Sequence, residues 1–193
     1  MNAAKVLLVT PALVLGLLAP AASATADSRL TGKPAAPRCV PPKVAPQSEE
    51  DRPPLGHDAV KGFRVGHLPK GFSLGMPTSG GKGAVKEYGY AWTDGRPDAD
   101  PLRRAMWLRV VCWSKAATLG HLKRLPVTLG PLAKGVRGVT VGGRKVWTKV
   151  GGGALGPGRY VGWLDRPGRV VTLMVSPALE RELPAIVKGI VAK

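Results

Sequence analysis

The residues of this chain with the clearest chemical potential are basic side chains interleaved with tryptophans. Residues 101–164 hold 12 Lys and Arg side chains, no Asp or Glu, and Trp107, Trp113 and Trp147. A cluster of positive charges attracts polyanions, and proteins that bind single-stranded nucleic acids combine such cations with exposed aromatic rings. The candidate polyanion-binding residues are Arg103, Arg104, Arg109, Lys123, Arg124, Arg137, Arg144, Lys145 and Lys149.

Explanations that involve no ligand also remain open for this pattern. Trp at a strand position usually belongs to the core, and a basic face also keeps a secreted protein soluble. Specific nucleic-acid recognition is disfavoured, because a chain with five Trp, three Tyr and two Phe needs most of them in its core. The expected partner is an anionic cell-wall polymer or an anionic lipid surface. An acidic protein partner is an alternative.

Catalytic patterns are weak. His57, His67 and His121 are the only histidines and lie far apart, whereas a metal site needs three or four convergent ligands. No serine lies in a G-x-S-x-G motif, and Ser176 is better explained as a helix cap. We therefore predict a non-enzymatic binding protein with no catalytic residue, metal or cofactor. A small secreted hydrolase is the alternative.

The start of the chain is typical of a cleaved export signal. Lys5 precedes the apolar run Val6–Leu18, which is short for a membrane span, and small residues follow. We expect a secreted or envelope-associated monomer with no transmembrane segment after cleavage. The predicted organisation is a signal peptide at 1–26, a proline-rich disordered arm at 27–59 and a single domain at 60–193.

The charge excess belongs to the predicted domain. The chain has a formal net charge of +17, and residues 61–193 carry 23 basic and 7 acidic side chains. A basic surface of this kind acts over a distance that salt shortens. The sequence therefore predicts affinity for anions that weakens as salt rises.

Cys39 and Cys112 are the only cysteines. Export permits a disulfide, which would join the proline-rich arm to a central strand and close a long loop. The alternative is two free thiols, with Cys112 buried as a small apolar residue.

Strand patterns dominate the predicted domain. Val85–Trp92 places Tyr88, Tyr90 and Trp92 on one face, and Ala105–Trp113 is apolar on both faces, as a central strand requires. The other predicted strands are Phe63–Leu68, Val139–Val141, Arg144–Val150, Arg159–Leu164 and Arg169–Val175. A short helix is predicted at Thr118–Leu125, loops at Phe72–Gly83 and Gly151–Gly158, and a final helix after Ser176-Pro177, with a kink or restart at Pro184. The predicted fold class is α+β: an antiparallel sheet of about seven short strands with a short central helix and a C-terminal helix packed on one face.

Two segments carry a resemblance to known proteins. Residues 62–72, GFRVGHLPKGF, resemble the F-R-x-x-H-L-P-x-G opening of uncharacterised secreted proteins from actinobacteria. The closing pattern, from the Gly142-Gly143 turn through Trp163 to the Leu183–Val191 helix, is similar to extracytoplasmic domains of bacterial anti-sigma and envelope regulators. The resemblance covers residues 62–191. It implies the α+β fold and transfers no catalytic residue.

Overall fold

The computed structural model describes residues 39–43, 53–125, 132, 135–153 and 156–193. The predicted signal peptide and most of the predicted arm lie outside these residues. Across the described ranges, no helix is both long enough and apolar enough to cross a membrane.

The described residues form nine strands, one α-helix and two 3₁₀ helices. The strands are β1 (Phe63–Val65), β2 (Leu74–Lys82), β3 (Val85–Thr93), β4 (Ala105–Cys112), β5 (Arg137–Val141), β6 (Arg144–Gly153), β7 (Gly156–Arg166), β8 (Arg169–Val175) and β9 (Ile190–Ala192). The helices are a first 3₁₀ helix (Leu119–Arg124), a second 3₁₀ helix (Pro177–Glu182) and α1 (Leu183–Gly189).

Seven strands form one antiparallel sheet in the order β2-β3-β4-β8-β7-β6-β5. Strand β4 is central, as predicted: Leu108 lies opposite Tyr90 of β3 and Leu173 of β8. The two short strands β1 and β9 pair separately. The predicted α+β fold class is confirmed.

The sheet has a core on each side because its central strands alternate between two apolar faces. On the helix face, Tyr90, Leu108 and Leu173 pack in one cluster with Ile186 and Val187 of α1. On the opposite face, a second cluster contains residues of β4, β8 and the first 3₁₀ helix with its cap: Trp107, Val111, Val170, Met174, Leu122 and Leu125. The first 3₁₀ helix thus covers part of the face that α1 leaves free.

Strand β2 occupies a segment predicted to be a loop. Its Gly-, Ser- and Thr-rich sequence is tolerated because β2 is an edge strand, which is where proline is normally found in a sheet. Gly75 lies against Tyr90, and a Cβ there would overlap the Tyr90 hydroxyl. The small residues that suggested a loop therefore make room for the aromatic residues of β3.

The glycine-rich stretch predicted to be a loop at Gly151–Gly158 also joins the sheet. Gly151 pairs with Gly158, and Gly153 pairs with Gly156. A Cβ at Gly158 would overlap the backbone carbonyl oxygen of Val175. Close backbone approach therefore explains the glycine at position 158, whereas a Cβ at Gly151 or Gly152 would meet no backbone atom.

The C-terminal segment differs in detail from the predicted helix. It begins as the second 3₁₀ helix and continues as α1 at Leu183, with Pro184 in the first turn, where its missing N–H costs little. Ser176 occupies the N-cap position, as predicted, but its side chain makes no capping hydrogen bond. Its hydroxyl donates to the Arg103 carbonyl oxygen (2.7 Å) and accepts from the Ala105 N–H (3.0 Å).

Part of the predicted arm is joined to the domain. Cys39 and Cys112 form a disulfide, which confirms that prediction. The Leu55 N–H donates to the Tyr90 hydroxyl (2.9 Å), and the Trp92 indole donates to the Leu55 carbonyl oxygen (2.8 Å). The ordered contacts of the domain therefore begin before residue 60.

Replacing both Cys39 and Cys112 with Ala is expected to lower the free energy of unfolding by about 4 kcal/mol, because the bond closes a long loop in the unfolded chain. The two cysteines are 73 residues apart in sequence. Urea unfolding of the oxidised chain, the reduced chain and the double variant measures this loss. The reduced chain is the control and should match the double variant. Equal stability of all three proteins would contradict the prediction.

Candidate functional site

One of the predicted cations lies over a tryptophan, and two more flank that tryptophan on its strand. Lys145, Trp147 and Lys149 alternate along β6 and share the face opposite α1. Lys123 comes from the first 3₁₀ helix, and its Nζ lies 4.3 Å from the centroid of the Trp147 ring. We call these four residues, Lys123, Lys145, Trp147 and Lys149, the Trp147 surface.

The Trp147 ring is held in place by its neighbours. Its Nε1 donates to the Leu119 carbonyl oxygen (2.8 Å), which ties β6 to the first 3₁₀ helix. The ring approaches Gly138 of β5, where an added Cβ would lie 3.1 Å from a ring carbon. Trp147 is half-buried, so it contributes to the core and also borders the surface.

A capping box fixes the helix that presents Lys123. Thr118 and His121 each bond to the other's backbone at the start of the first 3₁₀ helix. The Nδ1 atom of His121 accepts from the Ala117 and Thr118 N–H groups, both at 3.1 Å. His121 therefore acts as a structural acceptor that orients the helix.

Within the described residues, the lysines of the Trp147 surface have no carboxylate partner. Every carboxylate of the described residues already lies in an ion pair: Asp58, Glu87, Asp94, Asp98, Asp100, Asp165, Glu180 and Glu182. None of these partners is Lys123, Lys145 or Lys149. In the same described ranges, Arg124 and Arg137 are exposed and have no carboxylate within 4.0 Å.

The other predicted cations are directed elsewhere. Arg103 is buried and pairs with Asp98 (2.9 Å), and Arg104 pairs with Glu182 (2.8 Å). Arg144 points to the helix face, where it lies over the Trp163 ring and donates to the Ile190 carbonyl oxygen. These arginines hold the fold together and do not belong to the Trp147 surface.

Arg109 is the deepest of the predicted cations, at 3% exposed. It lies 4.2 Å from the Trp107 ring centroid and 3.4 Å from a carboxylate oxygen of buried Glu87. Burial lowers the pKa of Arg109, and the charge of Glu87 opposes that shift. A side chain on a strand covered on both faces cannot reach a surface polymer, so Arg109 is removed from the candidate site.

A second group of polar side chains lies around the segment after β1, the start of β4 and the second 3₁₀ helix. A cavity of about 420 Å³ is lined by His57, His67, Lys70, Arg104 and Glu182, and we call it the Glu182 cavity. One carboxylate oxygen of Glu182 lies 3.0 Å from His67 Nε2, and the other accepts from Arg104 Nη2 at 2.8 Å. Arg104 Nε also donates to the Lys70 carbonyl oxygen (3.0 Å).

Glu182 is ionised more readily than an ordinary glutamate. Partial burial opposes its ionisation, but hydrogen bonds from His67 and Arg104 outweigh burial and lower the pKa. Glu182 therefore connects the segment after β1, the start of β4 and the second 3₁₀ helix as a carboxylate. The side chains that line this cavity include no Ser, Thr or Cys nucleophile.

Sequence reasoning missed the Glu182 cavity. His67 and Glu182 are 115 residues apart, and neither lies in a motif that indicates a pair. The fold brings them together because β1 pairs with β9, next to the C-terminal helix. Among the described residues, no group of three or more His, Cys, Asp or Glu side chains is arranged to hold a metal ion.

A larger cavity, of about 610 Å³, adjoins the disulfide. Its walls are mainly apolar and include Pro41, Trp113, Ala116 and Pro167. Its lining includes one charged side chain, Lys86.

Comparison of the chain with protein-family models, with curated proteins and with solved structures finds no match. The resemblance to secreted actinobacterial proteins and to envelope regulators stays a prediction. The evidence on function therefore comes from the geometry of the Trp147 surface and of the Glu182 cavity.

Replacing Glu182 with Gln is expected to reduce stability at neutral pH and to have less effect in acid. The pKa of Glu182 is lowered by folding, so its contribution is present above the unfolded pKa and is lost as pH falls through the folded pKa. Urea unfolding from about pH 7 to pH 3 measures both proteins.

Glu180→Gln is the matched control, because Glu180 is on the same 3₁₀ helix and pairs with Arg159 alone. We expect a smaller loss of stability at neutral pH for this variant. A Glu182→Gln effect that is equal at neutral and acidic pH would contradict the assignment.

Proposed function

We propose that this chain is a secreted, non-enzymatic protein that binds anionic polymers of the cell envelope through the Trp147 surface. The observation that carries the proposal is that Lys123 lies over Trp147 while Lys145 and Lys149 flank it on the same strand face, and that none of the three lysines has a carboxylate partner among the described residues. Uncompensated cations on a rigid sheet raise the local concentration of polyanions.

The spacing of the lysines favours an extended ligand. Lys145 and Lys149 lie four residues apart on one strand face, which separates their backbone positions by about 13 Å. Lys123 reaches the tryptophan that lies between them. A chain of repeated anionic groups can contact all three cations at once, whereas a single small anion cannot.

The chemistry of the cations favours attraction by charge over recognition of one structure. Lysine presents a flexible point charge, and arginine presents the rigid fork that reads phosphate or carboxylate geometry. Four of the predicted arginines are instead used inside the fold, namely Arg103, Arg104, Arg109 and Arg144. The proposed surface therefore selects for negative charge density.

A polymer is favoured over a lipid bilayer. Proteins that bind the bilayer interface usually insert exposed apolar side chains beside their cations. The exposed apolar residues nearest in sequence, Val139 and Val150, alternate with the surface residues and lie on the other face of the sheet. The Trp147 surface itself offers only a half-buried ring that Lys123 covers.

Two features support an extracytoplasmic location. The Cys39–Cys112 disulfide is of a kind that persists in oxidising compartments. The first 26 residues have the pattern of a cleaved export signal. An acidic protein partner is the remaining alternative, and it is an outcome of the experiment below.

The triple variant Lys123→Gln, Lys145→Gln, Lys149→Gln is expected to bind long-chain polyphosphate more weakly than the unmodified chain. The salt dependence, log K against log salt, should become shallower by roughly 2, because three fewer counterion-displacing contacts form. Retention on polyphosphate beads and on neutral dextran beads across a salt series measures both effects.

The matched control is Lys61→Gln, Lys82→Gln, Lys188→Gln, which removes the same charge from exposed positions elsewhere. This control should keep most of the affinity and most of the slope. Equal losses in both triple variants, or retention that does not respond to salt, would overturn the proposal. Stronger retention on anionic vesicles, or on a polyglutamate resin, than on polyphosphate would favour the lipid or the acidic-protein alternative instead.

A further inference from the structure

The Glu182 cavity has no part in the proposed polymer binding. It is lined by four basic or protonatable side chains, His57, His67, Lys70 and Arg104, and by one carboxylate. We infer that the Glu182 cavity is a separate binding site for a compact oxyanion, a phosphate or carboxylate group.

The charge balance of the cavity favours an anion. Lys70 and Arg104 are cations, and Glu182 neutralises only one of them. The Glu182 carboxylate is also the reason that a metal cation is disfavoured, because both of its oxygens are already engaged by His67 and Arg104. A volume of about 420 Å³ accommodates a small molecule.

The donors are held in position before a ligand arrives. Arg104 uses Nε for the Lys70 carbonyl oxygen and Nη2 for Glu182, and within the described residues its Nη1 has no hydrogen-bond partner. The Lys70 side chain is exposed at the cavity and is free of ion pairs in the described part of the chain. A guanidinium fixed by two hydrogen bonds loses little entropy when it binds an oxyanion.

The two histidines are held in place by hydrogen bonds. His57 Nδ1 donates to the Val65 carbonyl oxygen, and His67 Nε2 donates to Glu182. The charged groups near His57 are Asp58, with Lys193 and Arg64 beside it; those near His67 are Glu182, Arg104 and Lys70. Both rings line the cavity, so an oxyanion bound there lies close to them.

Imidazole NMR signals give a direct test, because the chain has only three histidines. His57 and His67 line the cavity, whereas His121 lies on the first 3₁₀ helix and serves as an internal control. The untagged chain is titrated with inorganic phosphate, with acetate and with chloride at constant ionic strength. Saturable shifts of His57 and His67 with phosphate or acetate, and none with chloride, are the expected result.

The comparison of probes identifies the oxyanion. Tighter binding of phosphate assigns the site to a phosphate group, and tighter binding of acetate assigns it to a carboxylate. Shifts that are equal for all three anions, or shifts of His121 of the same size, would overturn the inference.

Substitutions separate this site from the Trp147 surface. Arg104→Gln is expected to weaken phosphate or acetate binding by about tenfold, the usual effect of losing a charge-assisted hydrogen bond. Lys70→Gln, at an exposed position, should weaken binding severalfold without affecting folding. Lys82→Gln is the matched control and should leave the affinity unchanged, as should the Lys123, Lys145, Lys149 triple variant.

Two outcomes of these substitutions would also contradict the assignment. One is oxyanion affinity that is unchanged in both Lys70→Gln and Arg104→Gln, and the other is loss of affinity in the Lys82→Gln control. The polymer proposal is judged by polyphosphate retention of the Trp147 triple variant. Each proposal is therefore able to fail while the other holds.

Discussion

The constraint on which the rest of the structure depends is the burial of strands β4 and β8 on both faces. A sheet whose central strands are apolar on both sides needs two covers, and α1 supplies one while the first 3₁₀ helix supplies part of the other. Any charged side chain on these strands must find a partner inside. Arg109 does so through Glu87 and Trp107, and removing one member of such a buried pair costs about 3–5 kcal/mol.

The chain's few carboxylates determine which cations are paired and which are left without a carboxylate partner. The carboxylates of the described residues are all used in ion pairs, and several of these pairs join elements that are distant in sequence, as Arg104 and Glu182 do. Cations without a carboxylate partner among the described residues are spread over the molecule, and five of them lie toward the β5–β6 side of the sheet and on the first 3₁₀ helix: Lys123, Arg124, Arg137, Lys145 and Lys149. A strongly basic chain thereby acquires one surface where charge and an aromatic ring coincide, around Trp147.

The two candidate sites differ in the way they are built. The Trp147 surface rests on alternation along one strand and on a short helix fixed by the His121 capping box. The Glu182 cavity draws its walls from segments at residues 57–70, 104 and 182. The first arrangement suits an extended ligand attracted by charge, and the second suits a small group held by oriented donors.

Local pattern was sufficient for much of the fold, because alternation of apolar side chains and paired glycine turns are properties of neighbouring residues. Strands β3, β4 and β8, the Gly142-Gly143 turn and the restart at Pro184 are examples. The two cysteines allowed only one disulfide within the chain, and the sequence left two free thiols as the alternative; it also placed Lys145 and Lys149 beside Trp147. Strand β2 and the glycine at the start of β7 depended on tertiary contacts, because Gly75 makes room for Tyr90 and Gly158 makes room for the Val175 backbone. Tertiary structure alone decided which cations remain free and that His67 meets Glu182, because pairing between residues far apart in sequence is set by packing and leaves no local signal.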